Sequence, residues 1–291
     1  MKTDNDKTKK ITYFSRDPVV CPVCGTRFHR EEMYTGGGRL MAGKLTEDLR
    51  RLYEPSRKYG VLYPLIYYIT VCPLCHYATF PEDFTGISGQ VKKAIEDESG
   101  KRKEGLAGLF PNLNFSAQRD LEEGVASYFL AVMCYDHFEK RYSPTLKRAL
   151  CSLRAGWLCG DLHRRSPGEN YDYLSELFFR KARFFYSMAV EREQTGKELL
   201  SGIKSFGPDL DKNYGYEGLL YVAAFLEYRY GQKGNPEVRL KSLENLKRVI
   251  SKTHGIGKAS KAKPSSILEK AKELYEKVGA EIQRLKSELQ P

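Results

Sequence analysis

The chain has 291 residues, of which 41% are hydrophobic and 29% charged, and this is enough to bury a substantial core. No apolar run approaches the roughly 20 residues of a membrane-spanning helix, and the charged start MKTDNDKTKK lacks a hydrophobic signal segment. These features favour a soluble cytoplasmic protein, in whose reducing surroundings cysteines bind metal more often than they form disulfides. The formal net charge of +11 is concentrated near the C-terminus.

Two Cys-x-x-Cys motifs dominate the first 85 residues: Cys21-Pro22-Val23-Cys24 and Cys72-Pro73-Leu74-Cys75. Each motif lets two thiolates reach one tetrahedral ion from a tight turn, so the two motifs together predict a four-sulfur zinc site with Cys21, Cys24, Cys72 and Cys75 as ligands. Closing the intervening loop costs roughly 3 kcal/mol. Structural zinc contributes on the order of 10–16 kcal/mol, so the metal outweighs that cost.

Four thiolates leave the ion no open position, which predicts a structural rather than a catalytic metal. His29 and His76 are the nearest competing ligands, and either could replace a cysteine. Gly25 follows the first motif and suits a left-handed turn, whereas His76 holds the matching place after the second and tolerates that conformation. The alternative is a metal-free pair of dithiols, which would indicate a redox-active protein.

The remaining N-terminal elements are predicted from short patterns. Gly36-Gly37-Gly38 indicates a turn, residues 45–53 (LTEDLRRLY) a short helix, and residues 65–71 (LIYYITV) a strand that leads into the second cysteine motif. Residues 86–115 are predicted to be a connector, with one short polar helix (QVKKAIEDE) followed by a loop (SGKRKEG).

From about Arg119 onward, the apolar spacing is helical. Long helices are predicted over residues 174–193, 216–230 and 236–251, and the last helix has a three-four apolar alternation from Leu268 to Leu289. Trp157-Leu158-Cys159-Gly160 is similar to an element of tetratricopeptide repeats. We therefore expect a mainly α (α+β overall) fold with a zinc-binding module at 1–85, a connector at 86–115 and a tetratricopeptide-like helical domain at 116–291.

A basic stretch covers residues 239–263, with eight basic residues and one acidic residue. Its second half, residues 252–264, is rich in Gly, Ser, Lys and Ala and is predicted to be a loop. Such a loop can contact nucleic-acid phosphates or an acidic protein surface through Lys252, Lys258, Lys261 and Lys263. A solvated inter-helix loop explains the same composition, and no aromatic residue is present for base stacking.

The two cysteine motifs, the lead-in Pro64-Leu65-Ile66-Tyr67 and the later segments NFSAQRD and LRAGWLCGDL resemble a bacterial family known only as a domain of unknown function. That family combines paired CPxC motifs with tetratricopeptide-like helices. The resemblance runs from Cys21 to roughly Glu193, and it implies that the four cysteines are metal ligands. It implies no reaction.

No Ser-His-Asp set, HExxH or GxSxG motif is present, so an enzyme would lack both a nucleophile and an open metal. The leading hypothesis is a non-enzymatic zinc-binding protein that acts as a scaffold for a protein partner, with no small-molecule substrate and no membrane insertion. A nucleic-acid-associated factor is the alternative, and a dithiol oxidoreductase is the third interpretation.

Overall fold

A computed structural model describes most of the chain, with only the backbone described for residues 252–259 and 265. The described residues are 11–34, 36–200, 203, 206–209, 214–259 and 265–290. Within them, short strands form two-stranded antiparallel pairs, β1 with β4, β2 with β3, β5 with β6 and β7 with β8. The strands are β1 Thr12–Phe14, β2 Val19–Val20, β3 Arg27–Phe28, β4 Glu31–Met33, β5 Met41–Leu45, β6 Arg51–Glu54, β7 Thr70–Val71 and β8 Ala78–Thr79.

Helices make up most of the remaining described chain. They are α1 Gly89–Asp97, α2 Ser99–Ala107, α3 Leu121–Cys134, α4 Pro144–Arg165, α5 Tyr171–Gln194, α6 Gly215–Tyr230, α7 Pro236–Ala259 and α8 Ser265–Leu289. From α3 to α8, each helix packs against the next one in the sequence. The predicted fold class is therefore confirmed: the protein is mainly helical, with short antiparallel strands near its N-terminus.

The helix boundaries follow from ordinary capping and periodicity. Asp120 caps α3, and Glu123 returns a bond to the Asp120 backbone N–H, so two N–H groups at the helix start are satisfied. Pro144 begins α4 at a position that needs no N–H donor. In α8, one buried stripe at three-four spacing faces the other helices. It consists of Ile267, Ala271, Leu274, Val278, Ile282 and Leu285.

The helix predicted at residues 45–53 is wrong, because this segment is the hairpin of β5 and β6. Thr46 Oγ1 accepts a bond from the Arg50 backbone N–H at 2.9 Å, and such a local side-chain bond competes with helix formation. Leu49 lies in the turn with φ 64° and is fully buried. Tertiary packing of the turn thus outweighs a weak helical pattern.

The strand predicted at residues 65–71 is mostly wrong. Pro64 begins a 3-10 turn, Pro64–Tyr67, and only Thr70–Val71 form a strand. The carbonyls of this segment are satisfied by side chains from the helical region: Tyr128 Oη donates to Leu65 O at 2.8 Å, and Arg119 Nη1 donates to Ile69 O at 2.7 Å. These partners lie far away in sequence, so local propensity does not reveal them.

Two predicted loops are helical. The segment SGKRKEG lies in α2, whose inner side is anchored by the buried residues Arg102 and Leu106. In α7 the helix runs to Ala259, so the predicted loop at residues 252–264 is wrong over its first eight positions. The helix can continue because lysine and alanine are good helix formers and each single glycine costs only about 1 kcal/mol. The next proline after Pro236, which would interrupt a helix, is Pro264.

The hydrophobic core is one cluster that extends from Cys21 in the first cysteine motif to Leu285 in α8. Polar contacts cross between the same regions, since the Arg119 backbone N–H donates to the buried Glu31 carboxylate at 2.8 Å. The division at 1–85, 86–115 and 116–291 stays a prediction, and the three segments share this core.

Gly124 in α3 packs closely against the 3-10 turn Pro64–Tyr67. A Cβ at this position would lie 2.5 Å from Ile66 Cγ2 and 3.3 Å from its backbone Cα. We expect Gly124→Ala to lower the free energy of unfolding by about 1–3 kcal/mol, although alanine is the better helix former. Urea denaturation measures this, with Gly105→Ala in α2 as the control.

Gly105 has room for the extra methyl group, because the nearest atom, Phe129 Cε1, would lie at 3.7 Å. We expect Gly105→Ala to be neutral or to stabilise the protein by up to about 1 kcal/mol. Equal effects of the two substitutions would contradict the close approach at Gly124.

Candidate metal centre

Two hairpins hold the cysteine motifs in matching turns. The first motif connects β2 to β3 and the second connects β7 to β8, and we call these turns the first knuckle (residues 21–26) and the second knuckle (residues 72–77). In each knuckle the first cysteine carbonyl accepts a backbone bond four residues on, from Gly25 N at 2.9 Å and from His76 N at 3.0 Å. The two knuckles therefore have the same local backbone pattern.

Both knuckles turn through a left-handed residue just after their second cysteine. Gly25 has φ 76° and His76 has φ 57°, so histidine adopts the conformation that glycine takes in the first knuckle. This position turns the chain back into β3 or β8 while the two cysteine side chains stay on one side. The expected tolerance of His76 for this conformation is confirmed.

The four sulfurs meet between the knuckles. Their Sγ atoms all lie within 4.8 Å of one another, with Cys21 to Cys75 at 3.7 Å and Cys24 to Cys72 at 3.5 Å. Four sulfurs at about 2.3 Å from a tetrahedral ion would be about 3.8 Å apart. The two cross-knuckle distances are close to this separation, so the four cysteines could hold a metal ion.

The sulfurs also perturb one another electrostatically. Hydrogen bonds from the Cys21 and Cys75 thiols, with help from the backbone N–H groups of Cys75 and Leu74, lower the pKa of Cys72. Thiol hydrogen bonds and burial raise the pKa of Cys75. A bound divalent ion would hold all four sulfurs deprotonated.

Neither histidine named as a competing ligand belongs to the group. His29 Nδ1 lies 2.7 Å from the Ser15 carbonyl oxygen, and the His76 ring packs edge-on against Phe115 at 5.5 Å. Among the described residues, the one group of His, Cys, Asp and Glu side chains with metal-binding spacing consists of the four cysteines. The donor set is therefore sulfur alone.

The other cysteines are separate from this group. Cys134, Cys151 and Cys159 are fully buried in α3 and α4, and burial raises the pKa of Cys134 to about 11 and that of Cys159 to about 12. They pack as small side chains in the core.

The basic residues of the predicted C-terminal loop are not brought to the cysteines by any described contact. Lys252 and Lys258 belong to the last part of α7, residues 252–259, for which only the backbone is described. Lys261 and Lys263 lie outside the described residues. Their role in binding phosphate or an acidic partner stays a prediction.

Sequence comparison places the chain in a bacterial family. Residues 14–278 match the family described as "Uncharacterized protein conserved in bacteria" (DUF2225). The chain belongs to DUF2225. It is 46% identical over 279 residues to an uncharacterized protein of Borreliella burgdorferi, an alignment that covers 96% of this chain and 100% of that protein. No solved structure matches the chain. The family resemblance inferred from the cysteine motifs is thereby confirmed.

A groove on the helical part of this DUF2225 chain lies between α5, α6 and α7 and has a volume of about 530 Å³. Its apolar lining includes Val190, Leu220, Val238 and Leu246. The Glu227 carboxylate also lines it, bonded to Arg183 and to Ser242. Within the described residues, no helix has the length and apolarity required to cross a bilayer.

Sequence patterns do not reveal two buried ionic groups of this DUF2225 protein. Arg50 in the β5–β6 turn pairs with the buried Asp161 of α4, and Arg102 of α2 lies against the second knuckle. Arg50 and Asp161 are separated by more than a hundred residues, and Arg102 belongs to a segment predicted to be a solvated loop. A buried ion pair has no local sequence signature, so only the tertiary structure shows it.

Proposed function

We propose that Cys21, Cys24, Cys72 and Cys75 bind one structural Zn²⁺ that ties the two knuckles together. The meeting of four sulfurs carries this proposal, because a tetrahedral all-sulfur donor set suits zinc. Zinc supplies a fixed tetrahedral cross-link without redox chemistry. With all four positions filled by protein, the ion would have no site for substrate, which supports a non-enzymatic role.

We further propose that the zinc-tied hairpins and the helical array form a scaffold for a protein partner. The groove between α5, α6 and α7 supports this proposal, because helical-hairpin arrays of the tetratricopeptide type bind partners along such surfaces. Its apolar lining and the ion pair of Glu227 with Arg183 suit the apolar face of an amphipathic helix. Val238 is 47% exposed at the edge of the groove, so a partner can reach it.

Affinity purification of the full-length protein from cells that express it natively tests both parts. The purified bait should contain about one zinc per chain. We expect a protein partner that survives nuclease treatment and whose recovery falls at least about tenfold with Val238→Asp, because a carboxylate would be desolvated in the groove. Val61→Asp is the matched control, because Val61 is also exposed, at 57%, and does not line the groove.

The outcomes separate the candidate functions. Equal recovery with the two valine variants, or no protein partner, contradicts the scaffold role. Co-purifying RNA or DNA that is lost with nuclease and with rising salt would favour the nucleic-acid-associated alternative. A reduced protein that holds no metal contradicts the zinc site and would favour the dithiol oxidoreductase.

A further inference from the structure

Arg102 is a fully buried arginine beside the second knuckle. Its side chain is 1% exposed, and its Nη2 donates to the carbonyl oxygen of Cys75 at 3.2 Å. The Nε of the same guanidinium is buried without a hydrogen-bond partner. No carboxylate in the described part of the chain forms an ion pair with Arg102, although a guanidinium keeps its charge inside proteins.

Transfer of an unpaired ion from water into a protein core is costly, so hydrogen bonds or a nearby negative charge must offset the buried charge of Arg102. Glu98, one helical turn before Arg102, is bonded instead to Lys101 and to His137. Cys134 of the neighbouring helix α3 has its pKa raised to about 11 by burial, so it is a neutral thiol at pH 7. Neither of these groups supplies the missing anion.

The hydrogen bond of Arg102 leads instead to the cysteine group, which it reaches through the Cys75 carbonyl. Four thiolates around one Zn²⁺ carry a net charge of −2, which is itself unfavourable where Cys21, Cys72 and Cys75 are buried, although Cys24 is exposed. We propose that Arg102 is a positioning residue of the metal centre: its charge offsets part of that −2 and its hydrogen bond holds the second knuckle, so that zinc binds more tightly. This inference rests on the proposed zinc site.

Zinc competition with a chromophoric chelator, carried out on the full-length chain, tests the role of Arg102. We expect Arg102→Met to weaken zinc binding by about 10- to 100-fold, the range seen when a partner of a metal ligand is removed. Arg102→Lys, which keeps the charge, should bind at least about fivefold more tightly than Arg102→Gln, which keeps a donor but no charge. The thiolate-to-metal charge-transfer band of the Co²⁺ form should move to longer wavelength without the cation.

Arg154→Met is the matched control for the loss of a buried arginine. Arg154 is also buried, donates to the carbonyls of Pro208 and Asp209 rather than to a cysteine, and has one guanidinium nitrogen without a partner. We expect Arg154→Met to lower the free energy of unfolding while leaving zinc affinity and the Co²⁺ band unchanged.

Three results would overturn the role of Arg102: zinc affinity in Arg102→Met within twofold of the wild type, equal weakening by Arg154→Met, or Arg102→Gln binding as tightly as Arg102→Lys. The Gln and Lys variants decide the question if the Met variant does not fold. A wild type that binds no metal overturns the zinc site and this inference together, whereas the three results above leave the zinc site standing.

Discussion

Replacing Cys72 by serine is expected to abolish stoichiometric metal binding and to disrupt both knuckles. Cys72 is fully buried and its sulfur lies 3.5 Å from that of Cys24 on the other knuckle. Binding free energy at a structural zinc site is folding free energy, on the order of 10–16 kcal/mol for four intact ligands. We expect zinc content to fall from about one ion per chain to nearly none and the melting temperature to fall sharply, as measured by elemental analysis and calorimetry.

Cys159→Ala is the control for this experiment. Cys159 is equally buried, but it lies in α4, outside the group of four sulfurs. Its replacement removes one sulfur from the core, so we expect a loss of about 1–2 kcal/mol with unchanged zinc content. Full zinc content in Cys72→Ser would show that Cys72 is not a ligand, and loss of zinc in Cys159→Ala would show that metal content reports only general instability.

The second large effect is expected at the ion pair between the β5–β6 turn and α4. Asp161 is 2% exposed and accepts bonds from both terminal guanidinium nitrogens of Arg50, one of them at 3.1 Å, and from Arg164. Arg50 also donates to the Trp157 carbonyl at 3.2 Å. Asp161→Ala would leave the largely buried Arg50 without its carboxylate, so we expect the free energy of unfolding in urea to fall by about 3–5 kcal/mol.

Glu176→Ala is the matched control, because Glu176 pairs with Arg180 on the exposed surface of α5. An exposed pair at i,i+4 spacing contributes about 0.3–0.5 kcal/mol, so this variant should be nearly neutral. The double variant Arg50→Leu, Asp161→Leu should recover part of the loss, because it removes both charges. Similar losses of unfolding free energy in Asp161→Ala and Glu176→Ala would show that the buried pair of Arg50 and Asp161 stabilises the protein no more than an exposed pair does.

The candidate metal ligands could be predicted from sequence because the information is local. Two cysteines separated by two residues already share a turn, and a metal ion commonly joins two such turns. The sequence therefore left open only whether the two knuckles meet. The left-handed conformation at His76 was predicted from the same motif. By contrast, the helix expected at residues 45–53 and most of the strand expected at residues 65–71 were wrong, because distant side chains decide those backbones.

The amino-acid sequence by itself determined the four cysteines, the family, the mainly helical class and the approximate positions of the long helices, since repeated apolar spacing over many residues outweighs local ambiguity. Only the tertiary structure decided that Arg102 lies against the Cys75 carbonyl and that Asp161 pairs with Arg50. It also decided that Gly124 leaves the space that the Ile66 side chain occupies. The physical reason is that these contacts join residues far apart in the chain. Burial, which changes the energetic weight of a charge or a methyl group, is a property of the assembled core rather than of any short segment.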